Sequence, residues 1–169
     1  IGHMPRPRLN PKPYARLRSS GRTFQFHHTD ALEFLRRLPK ASVDIIVTSP
    51  PYNLGVSYRS YRDALPIKEY LEWTDQWIAA ATRTLTLRGS LFLNVGSTPT
   101  RPWTALDVAQ TARQHLKLQN IIHWVKSIAI DRGGGARAAF DKDLAVGHYK
   151  PINSDRFVND CHEFVFHLT

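Results

Sequence analysis

Hydrophobic and polar positions alternate along the chain in two rhythms. Val43–Thr48 (VDIIVT) and Ser90–Val95 (SLFLNV) are short, nearly continuous apolar runs. That is the pattern of strands buried on both faces in a parallel sheet. Thr23–His28 (TFQFHH), Asn120–Val125 (NIIHWV) and His162–Leu168 (HEFVFHL) also read as strands. Between them the spacing turns helical. Asp30 can cap a helix to Leu38, with Glu33 at the capping-box position and Pro39 as the stop. Pro66 suits the first turn of a second helix, whose apolar face (Ile67, Tyr70, Leu71, Trp77, Ile78, Ala81, Leu85) runs to about Leu87. Arg88-Gly89 reads as a turn, and Thr104–Leu116 as a third helix. Residues 126–156 hold Gly133-Gly134-Gly135 and few periodic apolar positions, so a mobile loop is expected over about 127–156.

Strands alternating with helices predict an α/β sheet with crossover helices. Ligands in such sheets bind beyond the carboxyl ends of the strands. Two segments fall there: Thr48-Ser49-Pro50-Pro51-Tyr52-Asn53 and Asn94-Val95-Gly96-Ser97.

Composition narrows the partners. The 169 residues carry 23 Lys+Arg against 14 Asp+Glu, a formal charge of +9. Six of those bases lie in residues 1–22, which contain no acid, so a flexible basic arm is expected there. Such an arm suits polyphosphate. Residues 1–3 read as a tag remnant, ahead of Met4. A single cysteine, Cys161, excludes an intramolecular disulfide framework. It opens an apolar strand and reads as a buried structural thiol. His27, His28, His162 and His167 come without Cys partners or an HExxH pattern, so no metal site is expected. Without a long apolar run or a signal sequence, no membrane contact and a cytoplasmic location are expected. Trp73, Trp77 and Trp124 fall at helix or strand spacing and read as core.

Ser49-Pro50-Pro51-Tyr52 carries the chemistry. Two prolines fix the backbone and remove two amide donors. What remains is acceptor-rich, with the Ser49 hydroxyl and the carbonyls of Ser49 and Pro50 beside the flat face of Tyr52. A rigid acceptor pair next to an aromatic plate suits an aromatic amine. In context, DIIVTSPPYN resembles the motif of the DNA amino-methyltransferases, the N4-cytosine and N6-adenine enzymes. The likeness extends to Thr29–Leu35, Gly89–Gly96, Asn120–Lys126 and Cys161–His167, over roughly residues 23–169.

That resemblance implies a Rossmann-like fold and S-adenosylmethionine as cofactor, with double-stranded DNA as partner and a target base flipped from the helix. It assigns catalysis to Ser49, Pro50, Pro51 and Tyr52: the first two hold the amine and Tyr52 stacks on the base. It places Asp30, Thr48 and Ser49 at the cofactor. Asn53, Tyr58, Tyr61, Arg132, Arg137 and Lys150 are expected to meet substrate or DNA. Serine at the first motif position leans toward N4-cytosine, with N6-adenine as the alternative. A restriction–modification or stand-alone enzyme would fit either.

The family's Phe-x-Gly-x-Gly cofactor turn does not occur in the sequence. In the family sheet order 3-2-1-4-5-7-6, the resemblance identifies strands 3 to 7 here and leaves strands 1 and 2 missing. Residues 23–169 are thus expected to be the catalytic half of a methyltransferase domain, joined to a C-terminal half or complemented by another subunit. The competing expectation is a catalytically incomplete DNA-binding fragment.

Overall fold

The computed structural model describes residues 12–56, 63–126, 128–130, 144–146, 155–156 and 162–169. Its elements follow in the order β1 (Ala15–Ser19), β2 (Arg22–Phe26), α1 (Ala31–Arg37), β3 (Val43–Thr48), α2 (Ile67–Thr84), β4 (Leu85–Val95), α3 (Thr104–Ala112), β5 (Leu118–Val125), β6 (Ile128–Ile130), β7 (Leu144–Val146) and β8 (His162–Leu168). Four strands form one sheet in the order β3-β4-β8-β5. The β3–β4 pair is parallel, and β8 runs antiparallel to both its neighbours. In the family numbering this is the run 4-5-7-6, so the α/β class and the relative order of these four strands agree with the sequence reading. β6 and β7 pair antiparallel inside the segment expected to be a loop.

The first strand pair departs from the expected arm. Ser20 and Gly21 both take positive φ, 48° and 73°. This two-residue reversal has the sense that matches strand twist. It zips Ala15–Ser19 onto Arg22–Phe26, so residues 15–22 of the expected arm belong to a hairpin. The hairpin forms a two-stranded sheet of its own and its residues are exposed.

The core lies on one face of the four-stranded sheet. Side chains alternate across a strand, so β4 sends Leu91, Leu93 and Val95 to that face. Phe166 and Leu168 of β8 join them. α2 buries Tyr70, Trp77, Ile78 and Ala81 there, and α3 adds Ala105, Val108 and Ala112. Trp73 packs at the margin, as its spacing predicts. Leu32 and Leu35 of α1 also pack at the edge of this cluster. α1 is fastened through its C-terminal carbonyls: Arg83 Nη2 donates to Leu35, Arg36 and Leu38 oxygens at 2.8, 3.1 and 2.7 Å. One guanidinium from α2 thereby gathers the carbonyls at the end of α1, of which Leu35 O also takes the amide of the cap residue Leu38.

The second face follows from the same alternation. It carries Ser90, Phe92 and Asn94 of β4, with His167 of β8 opposite Phe92 and Val165 opposite Asn94. Phe92 and His167 stack at 4.5 Å. β3 is an edge strand, and its Ile45 and Val47 are 62% and 76% exposed. The doubly buried environment expected for VDIIVT is therefore not met among the described residues, because no helix lies over this face. The turn expected at Arg88-Gly89 is instead a shift in register within β4: Val43 faces Leu85, whereas Ile45 faces Ser90. α2 correspondingly stops at Thr84 and α3 at Ala112, both short of the expected ends.

The loop that leaves β3 is held by two buried polar side chains. Asp63 accepts the amides of Asn53, Leu54 and Val56 at 2.8, 3.0 and 2.9 Å. Asn53, in the left-handed region at φ 60°, exchanges two hydrogen bonds with the backbone of Leu65. Arg101 donates to the Asn53 carbonyl. The Tyr70 hydroxyl donates to the Pro51 carbonyl at 2.9 Å, which pins the Pro-Pro segment onto α2.

Two outcomes are expected. Leu93→Ala should cost about 2–5 kcal/mol, measured by urea unfolding, because Leu93 is fully buried between sheet and helices. Asp63→Ala should speed amide hydrogen exchange at Asn53, Leu54 and Val56 by about tenfold or more, with the β4 core amides little changed.

Candidate active site

β3 ends at Thr48, and the chain enters Ser49-Pro50-Pro51-Tyr52 at the carboxyl edge of the sheet. A cleft of about 480 Å³ opens there. Val47, Thr48, Ser49, Pro50 and Tyr52 line it, with Asn94, Trp124, Lys126 and Glu163 from three other segments. The strand pairings account for the convergence: Asn94 faces Val165 and Val95 faces Phe164 across β4 and β8, while Trp124 faces Glu163 across β5 and β8.

A polar network forms its floor. Ser49 Oγ and Tyr52 Oη lie 2.6 Å apart. Asn94 Nδ2 donates to Tyr52 Oη at 2.6 Å and to Glu163 Oε2 at 2.8 Å. Tyr52 Oη reaches Glu163 Oε2 at 3.2 Å. Lys126 Nζ pairs with Glu163 Oε1 at 3.1 Å, and sits 4.0 Å from the centroid of the Trp124 ring. Gly96 makes room for this packing, since a Cβ there would stand 3.2 Å from Glu163 Cγ and 3.3 Å from Tyr52 Cε2. Both distances are tighter than ordinary van der Waals contact.

The expected site residues divide into three groups. Ser49, Pro50, Tyr52 and Thr48 come together at the cleft, with Ser49 exposed. Pro51 stands behind them, its carbonyl taken by Tyr70. That leaves the Pro50 carbonyl as the backbone acceptor of the Pro-Pro pair available to a ligand. Asp30 lies outside the cleft lining, where its Oδ1 accepts the Glu33 amide at 2.9 Å. The Glu33 carboxylate turns to Arg37 rather than back to the cap, so only half of the capping box forms. Asn53 corrects an expectation: it is fully buried and its side chain is spent on Leu65, so it shapes the loop and does not present itself to DNA. Tyr58, Tyr61, Arg132, Arg137 and Lys150 lie outside the described residues, as does Cys161.

Glu163, Trp124 and Lys126 of the cleft were not identified as functional from the sequence, and Asn94 was placed only within the strand-end segment 94–97, with no role of its own. Glu163 had a weak signal, as the sole carboxylate in HEFVFHL. Trp124 reads as core by spacing, yet it is 51% exposed, because β5 is the opposite edge of the sheet. Among the described residues, no cluster of three His, Cys, Asp or Glu is arranged to hold a metal, and no helix is long and apolar enough to cross a membrane.

Known proteins share this fold. Among solved structures, PvuII DNA methyltransferase, which is cytosine-N4-specific, superposes with a TM-score of 0.58 at 17% identity, covering 86% of this chain and 48% of that one. A Thermus thermophilus protein complexed with S-adenosyl-L-methionine, a candidate DNA modification methylase, superposes with a TM-score of 0.54 at 22% identity, covering 82% of this chain and 52% of that one. At these identities the likeness is one of fold. In sequence, the type II methyltransferase M.MjaVI of Methanocaldococcus jannaschii is 50% identical over 58 residues, 34% of this chain and 30% of that protein. M.ScaI of Streptomyces caespitosus is 40% identical over 73 residues, 43% of this chain and 23% of that protein. The DNA adenine methyltransferase YhdJ of Escherichia coli is 34% identical over 80 residues, 47% of this chain and 27% of that protein. The matches thus span less than a third of these curated relatives, and about half of the solved structures. The N6/N4 DNA methylase family model matches residues 43–169, which begin at β3 and take in the four-stranded sheet and the whole cleft. Because this model covers well over half of the sequence, the chain belongs to the N6/N4 DNA methylase family.

Proposed function

We propose that this chain carries the base-binding side of an S-adenosylmethionine-dependent DNA methyltransferase acting on the exocyclic N4 amine of a flipped cytosine. The observation that carries the reading is Ser49: an exposed residue lining the cleft, with the Pro50 carbonyl as the next acceptor and the Tyr52 ring beside it. The family match supports methyl transfer to a DNA amine. The choice of base rests on the serine at position 49; among the similar proteins PvuII is cytosine-N4-specific and YhdJ an adenine methyltransferase.

The cleft's chemistry fits the cofactor. Its volume of about 480 Å³ falls within the range of small-molecule sites, and apolar Val47, Pro50 and Leu54 alternate with the hydroxyls of Thr48 and Ser49. Thr48 and Ser49 would contact the cofactor there, and Asp30, which lies outside the cleft lining, would meet it beyond the cleft. When bound, S-adenosylmethionine supplies an electrophilic sulfonium methyl group.

The chain's own residues do the rest. Ser49 Oγ and the Pro50 carbonyl accept the two N–H bonds of the amine. Those two hydrogen bonds draw the nitrogen toward tetrahedral geometry and localise its lone pair away from the ring, and one amine proton leaves to solvent after the methyl group is transferred. Tyr52 stacks on the extruded base, replacing part of the stacking energy lost on flipping. Its hydroxyl, tied to Ser49 and Asn94, keeps the ring from rotating away. A carboxylate at position 49 could accept the same bonds, so the identity of the base rests on the product.

The protein in its full reading frame should convert unmethylated DNA to a product that yields N4-methyldeoxycytidine on nucleoside mass spectrometry. N6-methyldeoxyadenosine without it would transfer the reading to adenine, and neither product would leave a DNA-binding fragment. Ser49→Ala should lower the methylation rate by about a hundredfold, from the loss of an acceptor used in the transition state. Parental rates in both Ser49→Ala and Tyr52→Ala would sink the assignment.

A further inference from the structure

The protons of the cleft floor can run in either of two directions. Asn94 spends its two amide hydrogens on Tyr52 Oη at 2.6 Å and Glu163 Oε2 at 2.8 Å, leaving Ser49 Oγ a long contact of 3.4 Å. Tyr52 has one proton, and two of its neighbours can accept it, Glu163 Oε2 at 3.2 Å and Ser49 Oγ at 2.6 Å. If Tyr52 donates to Ser49, the Ser49 proton turns toward the cleft and the hydroxyl is a donor. If Tyr52 donates to Glu163, the Ser49 proton goes to Tyr52, and Ser49 shows the cleft only lone pairs.

We propose that Glu163 is a positioning residue that sets this direction and thereby makes Ser49 select an amine over a carbonyl. The proposal rests on the base-binding reading of Ser49. An ionised carboxylate only accepts, and a hydrogen bond to it is charge-assisted and stronger than one between two hydroxyls. Glu163 is well placed for the task. Its side chain is 22% exposed, and Lys126 holds Oε1 at 3.1 Å. That ion pair orients the carboxylate so that Oε2 points to Tyr52 and Asn94. With every donor running toward Glu163, the chain Ser49 to Tyr52 to Glu163 ends in an acceptor at the cleft. An exocyclic amine complements that acceptor, and a carbonyl at the same position meets lone pair against lone pair.

Glu163→Gln preserves the shape and removes the acceptor-only character. Binding of 2′-deoxycytidine and 2′-deoxyuridine to the full-length protein, followed by NMR titration, reads the direction without catalysis. The parental protein should prefer deoxycytidine by about fivefold or more, and Glu163→Gln should bring the two within about twofold. Tyr52→Phe, which interrupts the relay while leaving Glu163 and Lys126 in place, should do the same; it keeps the test alive if Glu163→Gln does not fold. Methylation of unmethylated DNA supplies the coupling. Glu163→Gln should lower kcat by about tenfold with KM for DNA within about twofold, and should add less than about twofold in a Ser49→Ala background. Preference for deoxycytidine retained in Glu163→Gln or Tyr52→Phe, or effects of Glu163→Gln and Ser49→Ala that multiply, would overturn the proposal. If Ser49→Ala alone methylates at the parental rate, the reading of Ser49 falls first, and the inference with it.

Discussion

The structure depends on the alternation of β4. This strand lies between a parallel neighbour, β3, and an antiparallel one, β8, and its side chains part to opposite faces. Leu91, Leu93 and Val95 bind the sheet to α2 and α3, while Asn94, one residue from two of them, stands in the cleft. A slip of one residue would send Asn94 into the core and its apolar neighbours to the site. The apolar burial that stabilises the sheet therefore also fixes the register that assembles the polar network.

The cleft is assembled from segments far apart in sequence. Ser49 and Tyr52 leave the end of β3 on a Pro-Pro turn, and Glu163 comes from β8 at the far end of the chain. Their meeting rests on the placement of β8 between β4 and β5, which brings the start of β8 to the carboxyl end of β4. The antiparallel sense of β8 is essential, because a parallel strand would deliver its carboxyl end there instead. Gly96 allows the close approach, and Asp63 and Asn53 hold the loop beyond the motif without entering the polar network.

Much of this was legible along the chain. The strands at 43–48, 90–95 and 162–168 show as apolar runs, the helices by their spacing, and the motif by its prolines. The misreadings share a physical origin. VDIIVT has the composition of a doubly covered strand, but coverage depends on neighbours, and β3 lies at an edge with Ile45 and Val47 exposed. Trp124 has the same difficulty on the other edge. Asn53 looked like a contact residue because it follows the motif, yet its positive φ and its exchange with Leu65 make it part of the scaffold.

By itself the sequence determined the local chemistry. Prolines at 50 and 51 leave acceptors without donors wherever they are placed, and a serine before them adds a hydroxyl. Periodicity likewise determined which segments become strands and helices, since burying an apolar stripe is a local requirement. Only the tertiary structure decided which polar groups meet. Hydrogen bonds between Tyr52, Asn94 and Glu163 require strand order, strand sense and register together, and these are settled by long-range pairing of segments up to 111 residues apart. The identity of the acceptors was written in the motif; their orientation came from a carboxylate that only the folded sheet could bring to them.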